Sequence, residues 1–217
     1  MKILSTLLLL FFTTSTFGFV FKKGDGSSFK MNTNGQSVEL NIYVSSVATH
    51  NMNIEFHFGS GGLLASNMWQ QFEFELKDRN PISIKAGYIK LAPNRDTEIM
   101  TEEMFKLNKG VQVENFLFNS EAQISQDYVG DEKVETPAGT IVAKHYKKTV
   151  KDQTVHYWIA DRVKPIGLVK LVSKSEKIKS NNYTIELKNL LTSVKSKIDP
   201  SKAKAISKET RETFLKK

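Results

Sequence analysis

Runs in which every second residue is apolar recur along the first half of this chain, and they limit what it can fold into more than any other feature. Val38, Leu40, Ile42 and Val44 alternate with Glu39, Asn41 and Tyr43. Met52, Ile54, Phe56 and Phe58 alternate with Asn53, Glu55 and His57, and Phe72, Phe74 and Leu76 with Glu73, Glu75 and Lys77. Successive side chains of a strand point to opposite faces, so this period builds antiparallel sheet with one buried and one wet face. Asp78-Arg79-Asn80-Pro81 reads as a turn and Ile82 to Leu91 as the next strand. Further strands are predicted at 111–118, 134–135, 140–148, 154–159, 167–173 and 183–187, with Lys151-Asp152 at a hairpin tip.

The period changes twice. Thr101 is placed to cap a helix over 101–109, with Glu102 and Glu103 in its first turn, Lys106 and Lys109 in its last, and Gly110 to end it. Leu187, Leu190, Leu191, Val194 and Ile198 fall at helical spacing, which predicts a helix over 188–198 closing the sheet. Asp199-Pro200 interrupts it, and residues 199–217 read as a charged, loosely docked helical tail. The predicted class is therefore α+β: one strongly curved antiparallel sheet of roughly eight to eleven strands, with a few packed helices.

At the front, Lys2 precedes an apolar run from Ile3 to Phe12, and Thr16-Phe17-Gly18 supplies the small residues a signal peptidase reads. The run is short of the ~20 residues that span a bilayer. Residues 1–18 are predicted to be a signal peptide cut after Gly18, residues 19–198 a single β-rich domain, and the protein periplasmic or secreted. The sequence contains no cysteine, which removes both a lipid anchor at the cleavage site and any disulfide framework.

Charge is uneven. Residues 19–143 carry 11 Lys and Arg against 16 Asp and Glu, whereas residues 144–197 carry 13 against 4. A basic half suits an anionic membrane surface, or serves as a solvated sheet face that keeps the protein soluble. No nucleic-acid motif accompanies it.

Catalytic constellations are absent from the pattern. Phe58-Gly59-Ser60-Gly61-Gly62 lacks the spacing and the Lys-Ser/Thr of a phosphate-binding loop, and Ser60 is not in a nucleophile elbow. Glu73 and Glu75 read as wet-face residues. His145 and His156 fall on one face of adjacent strands if the chain turns at Lys151-Asp152, near enough to share a metal. With no cysteine and no third ligand in view, they read as paired surface histidines, and no metal or cofactor is expected. His50 and His57 have no partner visible in sequence. Asn182-Tyr183-Thr184 matches a glycosylation triplet and reads as structural.

The most distinctive stretch is Thr136-Pro137-Ala138-Gly139-Thr140, followed by His145-Tyr146, then Tyr157-Trp158-Ile159, then Pro165-Ile166-Gly167-Leu168-Val169. This order of corner and strands resembles a set of uncharacterised exported bacterial β-rich proteins, over about residues 69–198. More distantly it is similar to the lipoprotein-carrier (LolA-like) half-barrel. That resemblance implies a curved sheet with helices across its concave face, enclosing a site for acyl chains. The resulting expectation is a non-enzymatic exported envelope protein that binds a lipid or other hydrophobic molecule, with Trp69, Phe72, Phe74 and Trp158 as candidate ligand contacts. The alternatives are that these aromatics fill a core, and that the protein is a structural or protein-interaction component of the envelope with no ligand pocket.

Overall fold

The predicted alternation does make strands, and almost nothing else. The computed structural model describes residues 21–33, 35–59, 67–77, 80–107, 125–177 and 182–215. The signal segment, the loop from Ser60, the Asp78-Arg79 turn and the strand expected at 111–118 lie outside the described residues.

Two antiparallel meanders form one open sheet. The first runs through β1 (Gly26–Thr33), β2 (Gln36–Val47), β3 (Asn51–Phe58), β4 (Met68–Lys77), β5 (Asn80–Lys90) and β6 (Glu98–Ile99). The second runs through β7 (Tyr128–Thr136), β8 (Gly139–Val150), β9 (Gln153–Ile159), β10 (Leu168–Ser175) and β11 (Tyr183–Leu191). Antiparallel pairing of β1 with β11 joins them, Phe29 opposite Leu187 and Met31 opposite Ile185. The chain's tail then adds β12 (Lys204–Ala205) parallel to β6, so the order is β12-β6-β5-β4-β3-β2-β1-β11-β10-β9-β8-β7.

The α+β expectation is thus corrected: among the described residues, α-helix is confined to two short segments, α1 (Glu102–Leu107) and α2 (Lys208–Leu215), against a single open twelve-stranded sheet. No helix forms over 188–198. The reason is a bulge opposite Ser28 and Phe29, which inserts Lys188 into β11. An inserted residue breaks period two, so Leu187 and Leu190 acquire a spacing that imitates a helix. β11 continues to Leu191, opposite Gly26. Beyond it the chain turns at Ser193, whose φ is 57°. Gly24 is required there: a Cβ on it would lie 2.8 Å from the Ser193 Cα.

Most of the core lies on one face of this sheet. Phe29, Met31, Leu40, Ile42, Ile54, Phe56, Phe74, Ile185 and Leu187 are all essentially inaccessible. Met104 of α1 and the loop residues Val163 and Ile166 are buried with them. That loop is tied to β1 by the Ser27 hydroxyl, which donates to the Lys164 carbonyl at 2.5 Å. The Thr136–Gly139 corner is a tight β7–β8 hairpin in which the Thr136 Oγ1 donates to the Gly139 carbonyl at 2.8 Å, with Gly139 at φ 102°.

Candidate functional site

Strand alternation sends the even-numbered aromatics of β4 into the core and the odd-numbered residues to the opposite face. Phe72 and Phe74 are buried, and Phe72 meets Phe56 edge to face at 5.8 Å. Trp69 sits on the back face directly opposite His57 and stacks on it, 4.7 Å between centroids and 5° between planes. Trp158 lies in the other meander, opposite His145, and stacks on that ring at 4.4 Å and 12°. The structure therefore does not bring the four candidate ligand contacts to one space. A cavity of about 810 Å³ opens instead at the rim, where the β1–β2, β8–β9 and β10–β11 ends meet, and none of the four lines it. Its lining mixes the hydroxyl and amide groups of Thr33, Ser173 and Asn182 with the charged Asp152, Lys174 and Glu176. Asn182 is used structurally, its Oδ1 accepting the Ser175 N–H at 2.6 Å.

Two polar clusters occupy the back face. In the first meander Glu55 is fully buried. Its Oε1 accepts the Tyr43 hydroxyl at 2.5 Å and the Lys197 N–H at 3.0 Å, and its Oε2 accepts Gln71 Nε2 at 3.2 Å and the Ser196 hydroxyl. Burial, then the Glu55 carboxylate beside it, push the Tyr43 hydroxyl far above its ordinary pKa, so it remains a donor. What buries this carboxylate is the tail, which crosses from β11 back to β6 over the polar face of β2 to β4. Sequence reasoning placed Tyr43 and Glu55 on a wet face.

In the second meander Glu132 of β7 accepts His145 Nδ1–H at 2.8 Å through one oxygen and Trp158 Nε1–H at 2.8 Å through the other. Those hydrogen bonds, Trp158's first, hold the Glu132 carboxyl below its ordinary range. His145 Nε2 faces His156 Nδ1 at 2.9 Å. The ring centroids are 5.2 Å apart and the planes 27° apart, so the rings meet edge to edge with both nitrogens on one line. One proton fits between nitrogens so aligned; a metal would need both lone pairs to converge off that line. No group of three or more His, Asp or Glu among the described residues is arranged to hold a metal ion. Because the Glu132 carboxylate fixes a proton on His145 Nδ1, a neutral pair requires His156 to donate from Nδ1 and leaves its Nε2 as an acceptor. Burial first, then the charges of His145, Lys147 and Lys174, hold His156 below its ordinary pKa. The pair is less superficial than the sequence suggests, since the His145 side chain is only 9% exposed.

Part of the basic half is paired with acids. Lys148, Lys170 and Lys188 face Asp127, Glu186 and Glu39 at 3.8, 2.7 and 2.6 Å.

The two ends of the sheet differ most. At the β6 end the tail covers the edge: β12 pairs with it, the Ser207 N–H donates to Glu98 Oε2 at 3.1 Å, and Lys204–Asp96, Arg95–Glu209 and Arg211–Glu103 ion pairs flank the seam. At the β7 end no strand among the described residues covers the edge. Tyr128, Val129 and Val142 are 46%, 55% and 63% exposed there.

No family model matches this chain, and no curated protein matches it. Among solved structures it is similar to a hypothetical protein from Chlamydia trachomatis, at 8% identity and a TM-score of 0.44 over 87% of this chain and 94% of that one. A putative exported protein with a YmcC-like fold from Bacteroides fragilis matches at 14% identity and a TM-score of 0.36, over 84% and 99%. MucB matches at 11% and 0.38, over 86% of this chain but 58% of its own. The expected likeness to the lipoprotein-carrier half-barrel is not confirmed by these matches. At such scores the likeness carries no functional argument, so function rests on the residues.

Proposed function

We propose that this is an exported, non-enzymatic envelope protein that engages another protein through the sheet edge at β7, which no strand among the described residues covers. The observation that carries the reading is the inequality of the two edges. An unpaired strand offers a row of N–H and C=O groups to any extended chain, and folds ordinarily cover or blunt such edges. Here one edge is covered by the chain's own tail, while the other exposes Tyr128 and Val129 with Val142 beside them. Export rests on the leader at residues 1–18, with cleavage after Gly18. The lipid-binding alternative has less to stand on, because Phe72 and Phe74 are consumed by the core and none of the four candidate aromatics lines the rim cavity.

A photo-reactive residue at position 129, with another at Ile99 on the covered edge as control, tests the docking in living cells. The expected outcome is a discrete covalent adduct from 129 and none from 99; equal labelling from both positions, or none from 129, defeats the reading. Mass spectrometry of the periplasmic protein should find Phe19 at its N-terminus, and an intact Met1 removes the export claim.

A further inference from the structure

Away from the β7 edge, cross-strand register aligns a row of side chains over five strands: Asn32 opposite Thr184, Thr184 opposite Val172, Val172 opposite His156 and His156 opposite Lys147. The next row toward the rim sets Lys174 of β10 opposite Thr154, and Thr154 opposite Thr149. Directly opposed residues share a face, so both rows stand on the back face with His156. The rim cavity of about 810 Å³ runs onto that face, since Asn32, Thr184, Val172, Lys174, Thr154 and Thr149 line it. The geometry points to an oxyanion site at the inner end of this cavity, where Lys147 and Lys174 close from either side of β9 on a phosphate- or sulfate-type group beside His156.

The argument is one of charge and donors. Lys148 and Lys170 of the same strands are paired with Asp127 and Glu186, but neither Lys147 nor Lys174 has an ion pair among the described residues, and both are exposed. They stand two strand spacings apart, roughly 10 Å. Two ammoniums repel, so extended lysine side chains bridge such a gap only around an anion. Beneath them, one hydroxyl of the Thr149–Thr154 pair donates to the other at 3.2 Å, which leaves the second free to donate outward. A tetrahedral oxyanion accepts from both flanks and from below at once, whereas a carboxylate offers two oxygens in one plane. The groups facing His156 are His145 and Lys147 from β8 and Lys174 from β10, with Glu132 of β7 beyond His145. Burial and these cations disfavour its imidazolium. A bound anion reverses that balance: His156 Nε2, the acceptor of the neutral pair, takes a proton and donates to the anion. By linkage, anion and proton favour each other equally. Asp152 and Glu176 line the other, turn end of the cavity, where Asp152 Oδ2 accepts the Ser175 hydroxyl at 2.8 Å. Their charges repel an anion from that end and leave the His156 end as its place.

Sulfate stays a dianion through the neutral range, so it separates ligand titration from histidine titration. Histidine NMR signals are followed from pH 8 to 5.5 as sulfate replaces chloride at constant ionic strength. His156 is expected to shift saturably, to titrate about one pH unit higher with sulfate bound, and so to hold sulfate about tenfold more tightly at the acid end. His156→Phe should abolish that pH dependence, read then by calorimetry. Lys147→Gln and Lys174→Gln should each weaken binding several-fold, and Lys77→Gln in the first meander should leave it unchanged. Competition by glycerol phosphate supports the site and assigns it to a soluble phosphate ester; competition confined to vesicles containing phosphatidic acid supports it and assigns it to a lipid headgroup. A His156 shift without saturation, acetate competing as well as sulfate, no competition by either phosphate, or equal weakening by Lys77→Gln would overturn the site. Docking at β7 stands or falls separately, on its own crosslinks.

Discussion

The two meanders carry the same motif in opposite settings. Each sets a histidine opposite a tryptophan on the neighbouring strand, His57 with Trp69 and His145 with Trp158, and each places a glutamate nearby on the back face. In the first meander the tail crosses that face, so Glu55 is fully buried and serves as the acceptor that latches Ser196 and Lys197 to the sheet. In the second, the Glu132 side chain remains 46% exposed, beside an edge that no strand among the described residues covers. The difference teaches that one sheet pattern yields a structural lock or an accessible surface according to which face the segment after β11 crosses, not according to the strands themselves.

Removing each glutamate is the strongest way to break this comparison. Glu55→Ala leaves the Tyr43 hydroxyl, the Gln71 amide, the Ser196 hydroxyl and the Lys197 N–H without their acceptor in a dry interface, and should destabilise the fold by about 3–5 kcal/mol. Glu132→Ala releases the Trp158 donor, which water can reach, and the largely buried His145 Nδ1–H, and should cost about 1–2 kcal/mol. Urea unfolding of both variants measures the gap, and equal losses would show that burial does not separate the two clusters.

Truncation before Pro200 sharpens the same contrast at the edges. It keeps the Glu55 latch but removes β12 and α2, with their exposed ion pairs and the buried Thr210. Exposed pairs are individually weak, so a loss of about 1–2 kcal/mol is expected. Amide exchange should accelerate in β6 and the outer part of β5 while β7 is unaffected. Acceleration spread over the whole sheet would mean that the tail supports the fold rather than the edge.

Much of the sheet was legible because alternation is a local consequence of strand geometry: Val38 to Val44, Met52 to Phe58 and Phe72 to Leu76 are strands with those apolar residues buried. The hairpin at Lys151-Asp152 and the approach of His145 to His156 followed from counting residues away from a turn. What was not legible is what covers a polar face. Glu55 and Tyr43 sit on the polar phase of their strands, and nothing in a period-two pattern says that residues 193–198 return to lie on them. The 188–198 segment misled for a related reason, since one bulge residue, Lys188, is enough to make a strand's spacing imitate a helix. Candidate ligand aromatics were picked by type, and type does not tell Phe74 in a packed core from Trp158 stacked on His145 on the opposite face.

The smallest expected effect is a pH dependence confined to the open cluster. His156 is faced by His145 and Lys147 from β8 and by Lys174 from β10, with the Glu132 charge beyond His145 acting the other way. Its folded pKa lies below the ordinary 6.5, so between that value and the depressed one the unfolded chain binds more protons than the folded chain. Stability is therefore fully present above about pH 6.5 and declines as the pH falls through the folded value. Glu132, also depressed, adds a second decline below its ordinary 4.5. Because both groups are substantially exposed, the upper step should amount to less than about 1 kcal/mol. His156→Phe removes the upper step and keeps the lower one, since a phenyl ring neither charges nor needs the shared proton. Thermal unfolding from pH 7.5 to 4 compares the two proteins. A His156→Phe protein that loses stability over pH 7 to 5.5 as steeply as the parent would place the acid sensitivity elsewhere, and a parent that gains stability in that range would reverse the sign assigned to the pair.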